Sequence, residues 1–207
     1  MAKRGRRRQD HYSRRAQAAG YQARSVYKLE ELQKKFHLVK PGDRVLDLGA
    51  APGSWTQRLL ELVGSEGQVV ACDLQEIALS GKDRLHIVRG DFTDPEIIQE
   101  LERLGPYDLV VSDAAPATTG NRTVDTARSE GLVESALDLA RRFLTPSGNC
   151  AVKLFQGGAE QRLRADMQEL YRKVAQTKPD ASRKESFEVY LVGLGLQKPP
   201  EGEEAHG

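Results

Sequence analysis

An open α/β fold, a mostly parallel sheet with helices on both faces, is what this 207-residue sequence predicts, on three observations. Short apolar runs of strand length alternate with amphipathic helical segments through most of the chain. Most connections between these runs are long enough for the helical crossovers that parallel pairing needs. The last connection, Lys178 to Lys184, is too short for a helix and so predicts an antiparallel final strand.

Taken in order, residues 1–20 are polar, basic and expected to be mobile. Val26, Leu29, Leu32 and Phe36 form an apolar stripe that predicts a helix from Ala23 to Phe36. Pro41-Gly42 breaks the chain before a strand at Arg44–Leu48. A Gly-rich turn leads to a helix through Trp55, Leu59, Leu60 and Val63, closed by Gly64-Ser65-Glu66-Gly67, and then to a strand at Gln68–Asp73. Arg84–Arg89 is the third strand. Asp94 as N-cap and Pro95 at the first helical position open a helix that runs to Leu104. Tyr107–Asp113 is a strand, 114–124 a Pro/Thr/Gly/Asn loop, and Asp125–Leu144 a long helix ended by Thr145-Pro146-Ser147-Gly148. A strand at Asn149–Phe155, a helix over about 160–175, a short strand at Val174–Thr177 and a longer one at Glu185–Leu194 complete the pattern.

The length fits one domain with a modest extension: a basic arm (1–22), the α/β domain (23–196) and an acidic tail (197–207). No run of about 18 apolar residues is present, so no membrane span or membrane partner is expected. The basic N-terminus lacks the apolar stretch of a secretory signal. Its arginines resemble those of a transit peptide, against which Asp10 and the thin apolar face argue. Cys72 and Cys150 fall in strands and read as reduced, buried thiols of a cytoplasmic protein. The four histidines are scattered away from Cys or carboxylate partners, so no metal site is expected. The formal charge of +1 hides a division: residues 1–40 carry a net +9 and the remainder −8. A basic arm on an acidic body points to a polyanionic partner.

Charges inside apolar runs are the second signal. Lys153 sits within Cys150-Ala151-Val152-Lys153-Leu154-Phe155, Asp113 ends Leu109-Val110-Val111-Ser112-Asp113, and Glu188 interrupts Phe187-Glu188-Val189-Tyr190-Leu191-Val192. Burying an unpaired charge costs several kcal/mol, so one lysine and two carboxylates along a sheet point to proton chemistry. The bland alternative is an ion-pair cluster that only ties strands together.

Asp47-Leu48-Gly49-Ala50-Ala51-Pro52-Gly53 joins the first strand to its helix. Ligands of open α/β sheets bind at such strand ends, and small residues let them approach the backbone. The turn matches neither the dinucleotide fingerprint nor a P-loop. Asp73 ends the second strand, where an acid commonly binds a ribose diol, and Asp91 ends the third, where it can accept from an adenine amino group. With no phosphate cradle, S-adenosyl-L-methionine fits better than a dinucleotide. Trp55 either lines this pocket or packs as core.

Four stretches together resemble a known family: Asp47 to Trp55, Ser112-Asp113-Ala114-Ala115-Pro116, Val152-Lys153-Leu154-Phe155-Gln156-Gly157 and Glu188-Val189-Tyr190-Leu191-Val192. They look like the RrmJ/FtsJ-like ribosomal RNA large-subunit ribose 2′-O-methyltransferases, in order and at compatible spacing from about Ala23 to Gly195. The resemblance implies a Rossmann-like S-adenosylmethionine-dependent methyltransferase fold of seven strands with the last inserted antiparallel. It implies a catalytic tetrad of Lys28, Asp113, Lys153 and Glu188, with Gly49, Gly53, Trp55, Asp73, Asp91 and Asp113 at the cofactor. Ser54 departs from a common glycine, and 74–83 has its own sequence.

The chemistry expected is methylation of a ribose 2′-hydroxyl in RNA, most naturally a uridine of 23S-type ribosomal RNA, with Lys153 as general base. Burial and a nearby cation lower a lysine's pKa while carboxylates raise it, so the two influences oppose each other at Lys153. A monomer binding RNA through its basic arm is expected, with Arg6, Arg7, Arg8, Arg14, Arg15 and Arg24 as phosphate contacts and Arg183 and Lys184 facing substrate. Tyr12 and Tyr21 either stack on bases or pack. The alternatives are a tRNA ribose methyltransferase, a non-catalytic ribosome-assembly factor, and a small-molecule methyltransferase. The last is disfavoured by the basic arm.

Overall fold

A computed structural model describes residues 11–79, 83–183 and 185–197. The arm before residue 11, Lys184 and the tail from residue 198 lie outside the described residues. Residues 11–18 form helix α1. There follow α2 (Val26–Phe36), β1 (Arg44–Leu48), α3 (Ser54–Val63), β2 (Gln68–Asp73), β3 (Leu85–Arg89), α4 (Pro95–Leu104) and β4 (Tyr107–Ser112). The chain continues through α5 (Arg122–Phe143), β5 (Leu144–Phe155), α6 (Glu160–Leu170), β6 (Tyr171–Thr177) and β7 (Glu188–Leu196). The seven strands form one sheet in the order β3-β2-β1-β4-β5-β7-β6. β1 to β5 pair in parallel, and β7 runs antiparallel between β5 and β6, as the short last connection requires.

Strand parity divides the core in two. Val45, Val69, Leu109, Val111, Ala151, Tyr190 and Val192 face one side, where Leu29 and Leu32 of α2 and Leu59, Leu60 and Val63 of α3 cover them. Their neighbours Leu46, Val70, Val110, Val152 and Leu191 face the other, beneath Leu101 of α4, Val133, Ala136 and Leu139 of α5, and Leu163 and Met167 of α6. Both cysteines are free and buried in strands, and burial pushes each thiol up to about 12, so they behave as small apolar groups.

Several boundaries differ from the sequence expectation, among them the start of α5 at Arg122 instead of Asp125 and that of β7 at Glu188 instead of Glu185. Ala23 to Ser25 form a tight turn with i→i−3 bonds, and α2 proper starts at Val26. Ala23 N–H donates to Ser54 Oγ (2.7 Å), which ties this turn to α3. β5 begins at Leu144, directly after α5. Thr145-Pro146-Ser147-Gly148 loops out between two pairings, because Tyr107 faces Leu144 while Leu109 faces Asn149. α6 ends at Leu170, so β6 starts at Tyr171, three residues before the expected strand. Within the segment read as a mobile arm, α1 docks through buried Ala16 and through Tyr12 against Val26, Tyr27 and Ala181. Tyr12 and Tyr21 therefore pack against the body, and Arg15 lies over the Tyr27 ring at 4.8 Å.

Candidate active site

The same parity that builds the core gathers the anomalous charges. Asp113 continues the register of Leu109 and Val111, Lys153 that of Ala151, and Glu188 that of Tyr190, so all point toward α2 and α3. Because β7 runs antiparallel, its first residue lies at the C-terminal end of β5: Glu188 pairs with Phe155, and Tyr190 with Lys153. Lys28 enters from above, on the buried side of α2. Lys28, Lys153 and Glu188 are 8%, 7% and 8% exposed, so each charge needs a partner.

Each has one. Lys153 Nζ lies 3.0 Å from Asp113 Oδ1 and donates to the Asp113 main-chain carbonyl. Lys28 Nζ lies 2.7 Å from Glu188 Oε1 and 3.7 Å from Asp113 Oδ1. Tyr190 Oη donates to the same Asp113 oxygen at 2.5 Å. Burial alone would raise the Asp113 carboxyl, but Lys153, Lys28 and the Tyr190 hydroxyl together outweigh it and hold it below the usual carboxylate range. Glu188 is lowered in the same way, with burial outweighed by Lys28 and then Ser182. Tyr190 is pushed well above its ordinary value by burial and by the two carboxylates. Removing one partner from such a cluster costs about 3–5 kcal/mol, because the other charge stays buried.

Tyr190 was not singled out from sequence. Its signal was the alternation itself, two residues after Glu188 on the same sheet face. Asp47 was also passed over as part of a turn motif. It is 1% exposed; Thr56 Oγ1 donates to its Oδ2 at 2.7 Å, while Oδ1 has no partner. Burial raises this carboxyl to about 7, with Thr56 opposing and Asp113 and Asp73 adding to the rise.

Beside the tetrad, at the C-terminal ends of β1, β2, β3 and β4, lies a cleft of about 700 Å³ whose lining includes Gly49, Asp73, Asp91 and Asp113. Gly49 has φ +72, and a Cβ there would fall 2.6 Å from Ala114, so only glycine lets the first turn and the β4–α5 loop meet as they do. Asp73 is fixed by N–H groups of Ala51 (2.9 Å) and Gln75 (2.8 Å). Asp91 Oδ1 accepts from Thr93 N–H and Oγ1, which leaves Oδ2 without a described protein partner. Two expected cofactor residues lie elsewhere. Trp55 is 3% exposed, stacks on Tyr190 at 5.9 Å and donates its indole N–H to Ser25 O. It is core that backs the tetrad and does not line the cleft. Gly53 caps α3 with φ +111, and the Leu79 and Ile77 side chains pack where a Cβ would project.

At the rim, half-buried Arg24 is lowered by burial and then by Arg183, with Glu188 and Glu185 opposing. The rim thus carries two guanidinium groups near the tetrad. No helix among the described residues is long and apolar enough to cross a membrane.

The family model of FtsJ-like methyltransferases matches residues 21–196. The chain belongs to that family. The methyltransferase is 51% identical over 189 residues to the Ribosomal RNA large subunit methyltransferase E of Treponema denticola, spanning 91% of this chain and 95% of that one. It is 47% identical over 190 residues to the protein of the same name from Syntrophobacter fumaroxidans, at 91% and 96% coverage. Among solved structures, a protein of Plasmodium falciparum described as a ribosomal RNA methyltransferase superposes with a TM-score of 0.75 at 24% identity. The match covers 86% of this chain and all of that one, a likeness of fold. Membership makes this methyltransferase an enzyme with a Rossmann-like sheet.

Proposed function

We propose that this enzyme methylates a ribose 2′-hydroxyl of RNA, with a uridine of large-subunit ribosomal RNA as the favoured acceptor and S-adenosyl-L-methionine as donor. One observation carries the reading: Lys28, Asp113, Lys153 and Glu188 come from four separate segments to one end of the sheet, and Asp113 both anchors the lysines and lines the adjoining cleft. The names of relatives that share about half their residues with this chain support ribosomal RNA as the acceptor.

The cleft residues fit the donor. Gly49 permits close backbone approach, Asp73 presents a fixed carboxylate for a ribose diol, and Asp91 Oδ2 is open to an amino group. Bound there, S-adenosyl-L-methionine supplies an electrophilic methyl group on a cationic sulfur. The remaining work belongs to the protein. Lys153 in its neutral form takes the 2′-hydroxyl proton, and the Asp113 carboxylate, kept ionised by its neighbours, holds the ammonium that results. Lys28, fixed by Glu188, orients the acceptor oxygen. Holding the reacting groups in line supplies much of the rate.

The test is methyl transfer from labelled S-adenosyl-L-methionine to large ribosomal particles, free ribosomal RNA and tRNA, followed by mapping of ribose methylation. Lys153→Ala is expected to lower turnover by at least about 10²-fold, the usual loss for a general base, with donor affinity nearly kept. Turnover near wild type would remove Lys153 from the mechanism. Label found on tRNA alone would change the substrate, and label nowhere would favour a binding factor.

A further inference from the structure

Above the tetrad, three loops are fastened at one point. Arg122 is the first residue of α5, whose N-terminus is capped by Asn121 through Thr123 and Val124 N–H groups. Its guanidinium carbon lies 5.1 Å from the centroid of the Phe187 ring, and its Nη2 donates to the Gln156 carbonyl at 3.4 Å. Gln156 N–H in turn donates to the Phe187 carbonyl at 2.8 Å. Phe187 is braced from the side by Phe155, with ring centroids 4.9 Å apart at 62°. The guanidinium thus sits over a ring and donates to a carbonyl, while Arg122 remains exposed and Phe187 half-buried.

Folding gives little reason for this pair. A cation at a helix N-terminus opposes the helix dipole, and an exposed cation–ring contact contributes little to stability. Its location gives a better reason. Phe187 directly precedes Glu188, and Gln156 lies three residues beyond Lys153, roughly 10 Å of strand, so the plane stands over the acceptor side of the active site. RNA bases that leave a helix stack on aromatic rings and on arginine planes.

We propose that the Arg122 guanidinium, backed by Phe187, is the stacking plane for the base of the nucleotide whose ribose enters the active site. The proposal rests on the RNA reading above and adds how the acceptor is held.

The test is a set of substitutions read with labelled ribosomal RNA transcript, by anisotropy for binding and by methyl transfer for kinetics. Arg122→Ala and Phe187→Ala are expected to raise Kd and the KM for RNA by about 5- to 150-fold, the range for losing one base stack. KM for the donor should stay unchanged, and kcat should fall less than KM rises. Phe187→Trp should bind like wild type. Arg122→Lys keeps the charge and loses the plane, so it should behave like Arg122→Ala. The slope of log affinity against log salt should match wild type in Arg122→Lys and Phe187→Ala, because neither change removes a cation. Recovery of binding in Arg122→Lys, or wild-type affinity in Phe187→Ala, would overturn the stacking plane. The anisotropy arm decides this even where no methyl is transferred, so the plane and the reaction fail separately.

Discussion

Asp47 is a carboxyl held where ionisation is costly. A charge on it would be fully desolvated, with Oδ1 unpartnered and two other carboxylates nearby. Its folded pKa of about 7 lies above the ordinary carboxylate value of about 3.9. As pH rises from about 4 to 7 the unfolded chain releases this proton first, so stability falls across that window and the loss is complete above it. The linkage is on the order of 4 kcal/mol for a shift of this size. Asp47→Asn cannot ionise. Urea melts should show it gaining on wild type by a few kcal/mol between pH 4.5 and pH 8, and a constant difference at both pH values would remove Asp47 as the source. Asp113 and Glu188 have the opposite sign. Their lowered pKa values stabilise the fold above about pH 4, the ordinary carboxylate range, and that contribution disappears as pH falls through their folded values.

At the scale of elements, β7 joins packing to chemistry. One face carries Glu188 and Tyr190 into the tetrad; the other carries Gly193, where a Cβ would lie 2.7 Å from the Tyr171 ring and 2.9 Å from Met167 Cε. Gly193 pairs with Cys150 on one side and Val174 on the other, so the strand has little room to retreat. Gly193→Ala should cost about 1–3 kcal/mol of overpacking, read as a fall in Tm of roughly 2–4 °C per kcal/mol in a domain of this size. An unchanged Tm would show that Tyr171 moves freely. The sheet was legible because periodicity is local: strands of alternating apolar residues announce both their existence and the face each side chain takes. Asp113, Lys153 and Glu188 stood out because a charge in an apolar run is anomalous on its own. Lys28 lies on an ordinary amphipathic helix, and its role came from resemblance alone. Tyr190 and Trp55 were harder still, since an aromatic residue in such a place is usual and its partner is set by tertiary packing. The start of β6 was missed because Tyr171-Arg172-Lys173 continues the polar character of α6.

Over the whole molecule, charge is divided along the chain, with a net +9 in residues 1–40 and −8 beyond them. α1 docks on the body beside Tyr27, one residue from Lys28. Deleting residues 1–10 removes Lys3, Arg4, Arg6, Arg7 and Arg8. RNA affinity should drop, and the slope of log affinity against log salt should become shallower by about 0.7 for each single-strand phosphate that the shortened chain no longer neutralises. An unchanged slope would show that the arm does not touch phosphate.

The insertion of β7 also orders events during synthesis. Residues 49–135 supply the cleft, and the chain emerges from its N-terminus during synthesis. Glu188 and Tyr190 follow about fifty residues later and must slot between two strands already made. A nascent chain therefore holds Lys28, Asp113 and Lys153 before Glu188 and Tyr190, the partners of Lys28 and Asp113, have emerged, so the ion-pair cluster completes only when the whole sheet has closed.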